Sequence, residues 1–315
     1  MTTFEGRYRA GSFSFSVRTD RPELGRLVDG LLAGFKLGQG SDGDQVEREY
    51  TLSVGDRAAG TVTLGLGEGH LLADQPLGTA VDLILWEVSQ AGIDSASPCV
   101  ALHAAAVSLH GRAVLLPAEP GSGKTTLAAA LTMAGCDYLS DELAPIDPVS
   151  AEVVPFPRPL WMMRESIALF PGLAQALSEQ PDDPASPKRH IPPHDLRPAP
   201  FGGSCPVGLV VFPTYVAGSP LLLWPLGRAQ AVSRLIENSF NFLRLGGAGL
   251  GVLARMVAGA SCYQMRSGDL PSAVTTLMAL LQSGGFSQLP GRSAHRERRP
   301  GSTTAGAALP GRTAG

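Results

Sequence analysis

LHAAAVSLHGRAVLLPAEPGSGKTTLAAAL, residues 102–131, decides how this chain is read. RAVLLP (112–117) is a short unbroken apolar run, the pattern of a strand covered on both faces. KTTLAAALTMAG (124–135) is helix-forming, with Gly135 where a C-cap is expected. Between them lie Ala118, Glu119, Pro120, Gly121, Ser122, Gly123, Lys124 and Thr125, small and turn-prone residues that deliver the chain into a helix N-terminus. Backbone N–H groups of Gly121 to Thr125 would face one concavity at the positive end of the helix dipole, a place that favours phosphate. Lys124 offers a point charge for β- and γ-phosphates and Thr125 a hydroxyl for Mg²⁺, with Thr126 a further hydroxyl beside the cradle. ATP and Mg²⁺ are the ligands this pattern predicts. A loop of this kind usually opens on glycine. Here Ala118 takes that position, which a methyl group permits if φ stays negative.

The rest of the composition narrows the function by exclusion. Of 315 residues, 44% are hydrophobic and 17% charged, as in a core-forming globular chain long enough for one large or two ordinary domains. A net charge of -3 gives no reason to expect a nucleic-acid partner. VGLVVF and LLLW, the longest apolar runs, are too short to cross a bilayer, so no membrane role is expected. MTTFEGRYRAGSFSF has no secretion-signal pattern, and Cys99, Cys136, Cys205 and Cys262 lack C-x-x-C spacing; the expectation is a cytoplasmic protein with reduced thiols.

Three regions follow from the patterning. Residues 1–98 are expected to be β-rich with one helix: FSFSV puts Phe13, Phe15 and Val17 on one face, VEREYTLSV alternates, and 76–91 has helical spacing. Residues 99–285 alternate apolar strands and helices as an α/β domain, interrupted by a proline-rich, charged loop over 180–203. GRAQAVSRLIENSFNFLR and GLGVLARMVAGA are predicted helices. Asp269 is a predicted N-cap, with Pro271 just inside the start of a closing helix. From about 286 the chain loses apolar periodicity; this tail, with five arginines and one glutamate, is expected to be disordered and basic.

Asp141 and Glu142 stand 17 and 18 residues beyond Lys124, at the end of an apolar segment. In a parallel sheet the carboxyl end of a neighbouring strand lies beside such a loop, where acids can hold Mg²⁺ or accept a proton. They could equally cap a turn. His103 lies 21 residues before Lys124, and by itself would more often be a core histidine.

Together, H-A-A-A-V, P-G-S-G-K-T-T-L and A-G-x-x-x-L-S-D-E resemble the HPr kinase/phosphorylase family, closest to its shorter serine-kinase relatives. Y-Q-M-R-S-G-D-L-P-S-A-V and V-F-P-T-Y-V-A-G extend the resemblance over about residues 100–285. It implies a P-loop kinase core of the HPr kinase/phosphoenolpyruvate carboxykinase-like type, preceded here by the β-rich region. By resemblance, His103, Lys124, Asp141 and Glu142 form the catalytic set, Lys124 binds phosphate and Thr125 binds Mg²⁺. The second acid accepts the proton; it is glutamate here, so how Asp141 and Glu142 divide base and metal duties stays open.

The L-E-x-R-G signature that follows the acids in HPr kinases is absent, the nearest substitute being P-F-P-R-P around Arg158. Lys188, Arg189 and Arg197 are the candidates for the family's later catalytic arginine, with a solvated loop face as the alternative. The predicted function is ATP-dependent phosphorylation of a serine or threonine hydroxyl on a peptide or protein. A small-molecule hydroxyl kinase and a non-catalytic ATP-binding regulator are the alternatives, and assembly as a homo-oligomer is left open.

Overall fold

A computed structural model describes residues 3–37, 45–55, 60–67, 69–94, 99–173, 177 and 186–283. The expected disordered tail after residue 286 lies outside the described residues, as do residues 180–185 of the expected loop. The described chain is a mixed α/β structure.

The first sheet contains β1 (Phe4–Ala10), β2 (Phe13–Thr19), β3 (Arg48–Val54), β4 (Val62–Leu66) and β5 (Gly69–Gln75), in that spatial order. Its strands pair antiparallel except β2 with β3, which run parallel. Phe13, Phe15 and Val17 are buried together, as the alternation requires, with Tyr50, Leu52, Val62 and Leu64. Among the described residues two α-helices close this core, where one was expected. Leu77–Asp94 was legible from its spacing; Pro22–Leu31 was not, although Leu24, Val28 and Leu31 form a helical stripe.

The second sheet contains β6 (Val100–Leu102), β7 (Ala104–Leu109), β8 (Arg112–Pro117), β9 (Asp137–Ser140), β10 (Ala144–Ile146) and β11 (Glu152–Val153). After the separate hairpin-like pair β12 (Leu160–Met163) and β13 (Lys188–Ile191), it is completed by β14 (Cys205–Tyr215), β15 (Leu222–Pro225) and β16 (Ser261–Ser267). The order is β6-β10-β11-β14-β8-β7-β9, with β16 joining β14 and β15. β14 runs parallel to β8 and to β16. Along β8 the side chains alternate between two cores: Ala113 and Leu115 belong to one, Val114 and Leu116 to the other. This is why AVLLP (113–117) is apolar throughout.

Helix Lys124–Met133 packs on one face through Leu127, Ala128 and Leu131, next to helix Leu270–Gln282. Its end is a Schellman motif: Gly135 has φ 110°, its N–H bonds Thr132 O, and the Cys136 N–H bonds Leu131 O. Asp269 caps the last helix by accepting from Ser272 N at 3.1 Å.

On the other face lie helices Arg228–Glu237 and Phe242–Ala258. The sequence suggested continuous helix through residue 244. The chain instead breaks at Asn238–Asn241, because the Asn241 side chain bonds the backbone at Ala101 N and Cys99 O and ties this segment to β6. The loop expected over 180–203 is likewise more regular, containing β13 and a turn of helix at Pro193–Leu196. The two sheets share packing: Ala101, Leu143 and Phe156 belong to the first core, and the Phe35 and Phe156 rings lie 5.0 Å apart. Among the described residues no helix is long and apolar enough to cross a membrane.

Candidate active site

Strand direction brings the predicted residues together. β7 is antiparallel to β8, with Ala104 opposite Pro117, so His103 precedes β7 at the edge where β8 ends and the glycine loop begins. β9 is antiparallel to β7, with Ala106 opposite Ser140, so Asp141 and Glu142 emerge at that same edge. The acids do not come from the strand next to β8, as expected for a simple parallel sheet. β7 lies between, and two reversals restore the direction.

In the loop Gly121 and Gly123 have φ 83° and 87°, values that glycine adopts without steric cost. Ala118 is buried and is not among the positive-φ residues, so its methyl group is accommodated. Glu119, Pro120 and Gly121 are exposed, while Ser122, Thr125 and Thr126 are half-buried. Tyr215 N donates to Ser122 O at 3.1 Å, fixing the loop against the end of β14.

Lys124, the first residue of its helix, is only 4% exposed. Its Nζ lies 3.0 Å from Glu142 Oε1, and His103 Nε2 donates to Glu142 Oε2 at 2.9 Å. One carboxylate thus spans both predicted partners. Thr125 Oγ1 is 3.1 Å from each oxygen of Asp141, a fully buried acid. Burial and the neighbouring Glu142 charge push Asp141 up, despite the opposing pull of Lys124 and Arg158. Burial would also raise Glu142, but the His103 hydrogen bond and Lys124 charge overcome it and hold this carboxyl low. Glu142 itself has φ 67°, left-handed backbone that a non-glycine residue adopts only under constraint.

The three loop cations are elsewhere. Lys188 Nζ sits 4.0 Å over the Trp161 ring, and Arg189 bonds Leu177 O at 3.0 Å. Arg197 pairs with Asp137 Oδ1 at 2.6 Å, at the opposite end of β9 from Asp141. Sequence reasoning also missed Asn238, whose carbonyl accepts from His103 N at 2.7 Å; nothing in its local pattern marks it.

Beside the loop is a cavity of about 560 Å³, bounded by Glu119, Ser122, Tyr215, Arg234, Asn238 and Gln264. Ser122 Oγ and Asn238 Oδ1 are buried with no hydrogen-bond partner among the described residues. Among those residues no cluster of three or more His, Cys, Asp or Glu side chains could hold a metal. A cation here would need Thr125, Asp141 and oxygens brought by a ligand.

No protein-family model matches this chain, and no curated protein matches its sequence. Among solved structures, the Hpr(Ser) kinase/phosphatase from Coxiella burnetii is similar at 12% identity, with a TM-score of 0.31. That match covers 59% of this chain and 99% of the other. Overlap at this level fixes neither fold nor chemistry.

Proposed function

We propose that this protein is an ATP- and Mg²⁺-dependent phosphotransferase of the serine-kinase type, acting on a hydroxyl of a peptide or protein. One observation supports it above the others: His103, Lys124, Thr125, Asp141 and Glu142 meet at one sheet edge in two contacting groups. Nucleotide binding alone requires neither acid.

The residues present suit the ligands. Gly121 and Gly123 take the positive φ that turns the loop into a helix N-terminus, a place that favours phosphate, and Lys124 stands at the helix start. Thr125 and Asp141 are hard oxygen donors of the kind Mg²⁺ takes when phosphates complete its shell. When bound, Mg²⁺ would neutralise charge on the phosphates.

Glu142 is the acid placed to accept the acceptor's hydroxyl proton, since Asp141 faces Thr125. His103 and the Lys124 ion pair hold Glu142 down. Engagement of Lys124 with phosphate would release the lysine's share of that hold and raise the basicity of Glu142 as the acceptor arrives. His103 keeps the carboxylate oriented throughout.

A small hydroxylated acceptor is the second reading, favoured by the cavity beside the loop, which is of small-molecule size. The deciding experiment is transfer of label from γ-³²P-ATP in lysate by wild type and by Lys124→Ala, with the labelled product identified. A labelled peptide or protein supports the first reading and a labelled metabolite the second. Identical behaviour of the two enzymes, with no label transferred or released, would overturn both.

A further inference from the structure

Phosphoryl transfer needs positive charge on the transferring group, and the loop cations Lys188, Arg189 and Arg197 are bound elsewhere. The guanidinium whose charge reaches Asp141 belongs to Arg158. Backbone contacts set its position. Phe156 bridges Ser140 in parallel, and its N–H donates to Leu139 O at 2.8 Å. The Tyr138 hydroxyl donates to Arg158 O at 2.8 Å, and Arg158 N donates to Phe156 O at 2.8 Å. Residues 156–158 therefore run alongside β9 and place Arg158 near its exit, where Asp141 follows. The first sheet's region supports this segment from behind: Phe35 packs on Phe156, and a Cβ added at Gly34 would come 2.2 Å from Pro157 O.

Held this firmly, Arg158 is still unpaired. Among the described residues no hydrogen bond or ion pair engages its guanidinium, and Nε is buried without a partner. Its charge is nevertheless felt at Asp141 and at Tyr138. A buried donor without a partner is costly in a folded protein and calls for an explanation. The site's charges supply one. Lys124 and Arg158 balance Asp141 and Glu142; a triphosphate carrying Mg²⁺ adds net negative charge and draws on Lys124. Among the described residues of this sheet edge, Arg158 is then the cation left without a hydrogen-bond or ion-pair partner.

Resting on the kinase reading above, we propose that Arg158 contacts the transferring phosphoryl group and stabilises its transition-state charge. The acceptor oxygen forms its bond to the γ-phosphorus while the bond to the β–γ bridging oxygen breaks, that electron pair leaving on ADP. The acceptor proton passes to Glu142. Arg158 makes and breaks no covalent bond.

The test compares wild type, Arg158→Ala, Arg158→Lys and Lys124→Ala by ATP turnover and by binding of ADP–Mg²⁺ with and without aluminium fluoride, a mimic of the transferring group. Arg158→Ala is expected to bind ADP–Mg²⁺ within about threefold of wild type. It should lose the extra tightening given by aluminium fluoride and about 10²–10³-fold in kcat. Guanidinium salt should restore at least about tenfold to Arg158→Ala and nothing to Lys124→Ala, with Arg158→Lys folded and intermediate. Retained tightening with kcat within threefold overturns the proposal. So does an equal loss of ADP and mimic binding in both arginine variants, which marks a structural role. If wild type neither turns over ATP nor tightens, the kinase reading itself fails and the arginine role falls with it.

Discussion

His103 Nε2 and Glu142 Oε2 lie 2.9 Å apart although 39 residues separate them in the chain. Each comes from the end of a different strand, and β7 and β9 must be in register for the two to meet. Loss of the imidazole should leave nucleotide binding nearly intact and misorient the base. His103→Ala is expected to lower kcat by about 10–100-fold with KM for ATP changed little, measured by steady-state turnover.

Glu142→Gln keeps the shape, the left-handed backbone and a hydrogen bond to His103, but removes the proton acceptor. Turnover should drop by about 10²-fold or more while the unfolding temperature stays within a few degrees. A variant retaining full kcat would move the base role to Asp141.

Lys124→Ala acts twice. It removes the phosphate contact and leaves Glu142 without its ion pair in a largely buried position. Nucleotide affinity, read by titration of a fluorescent ATP analogue, should fall by at least about tenfold, a loss of roughly 1.4 kcal/mol.

Asp141 gives a pH dependence of stability with a definite sign. Its folded value is raised from 3.8 to about 6, so the folded state binds the proton more tightly than the unfolded chain does. Its ionisation therefore costs stability progressively as pH rises from about 4 to 6. That cost is complete above this window. Asp141→Asn keeps an acceptor for Thr125 and avoids the buried charge. It should melt higher than wild type at pH 8, the advantage vanishing near pH 4, while its Mg²⁺-dependent turnover is lost. Equal melting temperatures at pH 8 would contradict the assigned cause.

Gly123→Ala tests the loop. Its Cβ would touch Tyr215 Cβ at an ordinary 3.4 Å, so the cost is conformational, from φ 87°. Roughly 1–2 kcal/mol of stability should be lost, a drop of a few degrees by calorimetry.

The sequence by itself determined the local parts: an all-apolar strand, a glycine turn that needs positive φ, a helix starting at Lys124, and the spacing of His103 and the acids. These are legible because period, turn chemistry and chain distance are properties of neighbouring residues. Tertiary structure decided the rest. It put β7 between β8 and β9, gave Glu142 to both His103 and Lys124, and set Asp141 against Thr125. Likewise, it drew Arg197 to Asp137 and left the charge of Arg158 within reach of Asp141. Such pairings depend on strand order and register, and these follow from burying two faces of a sheet at once, which no short stretch of chain encodes.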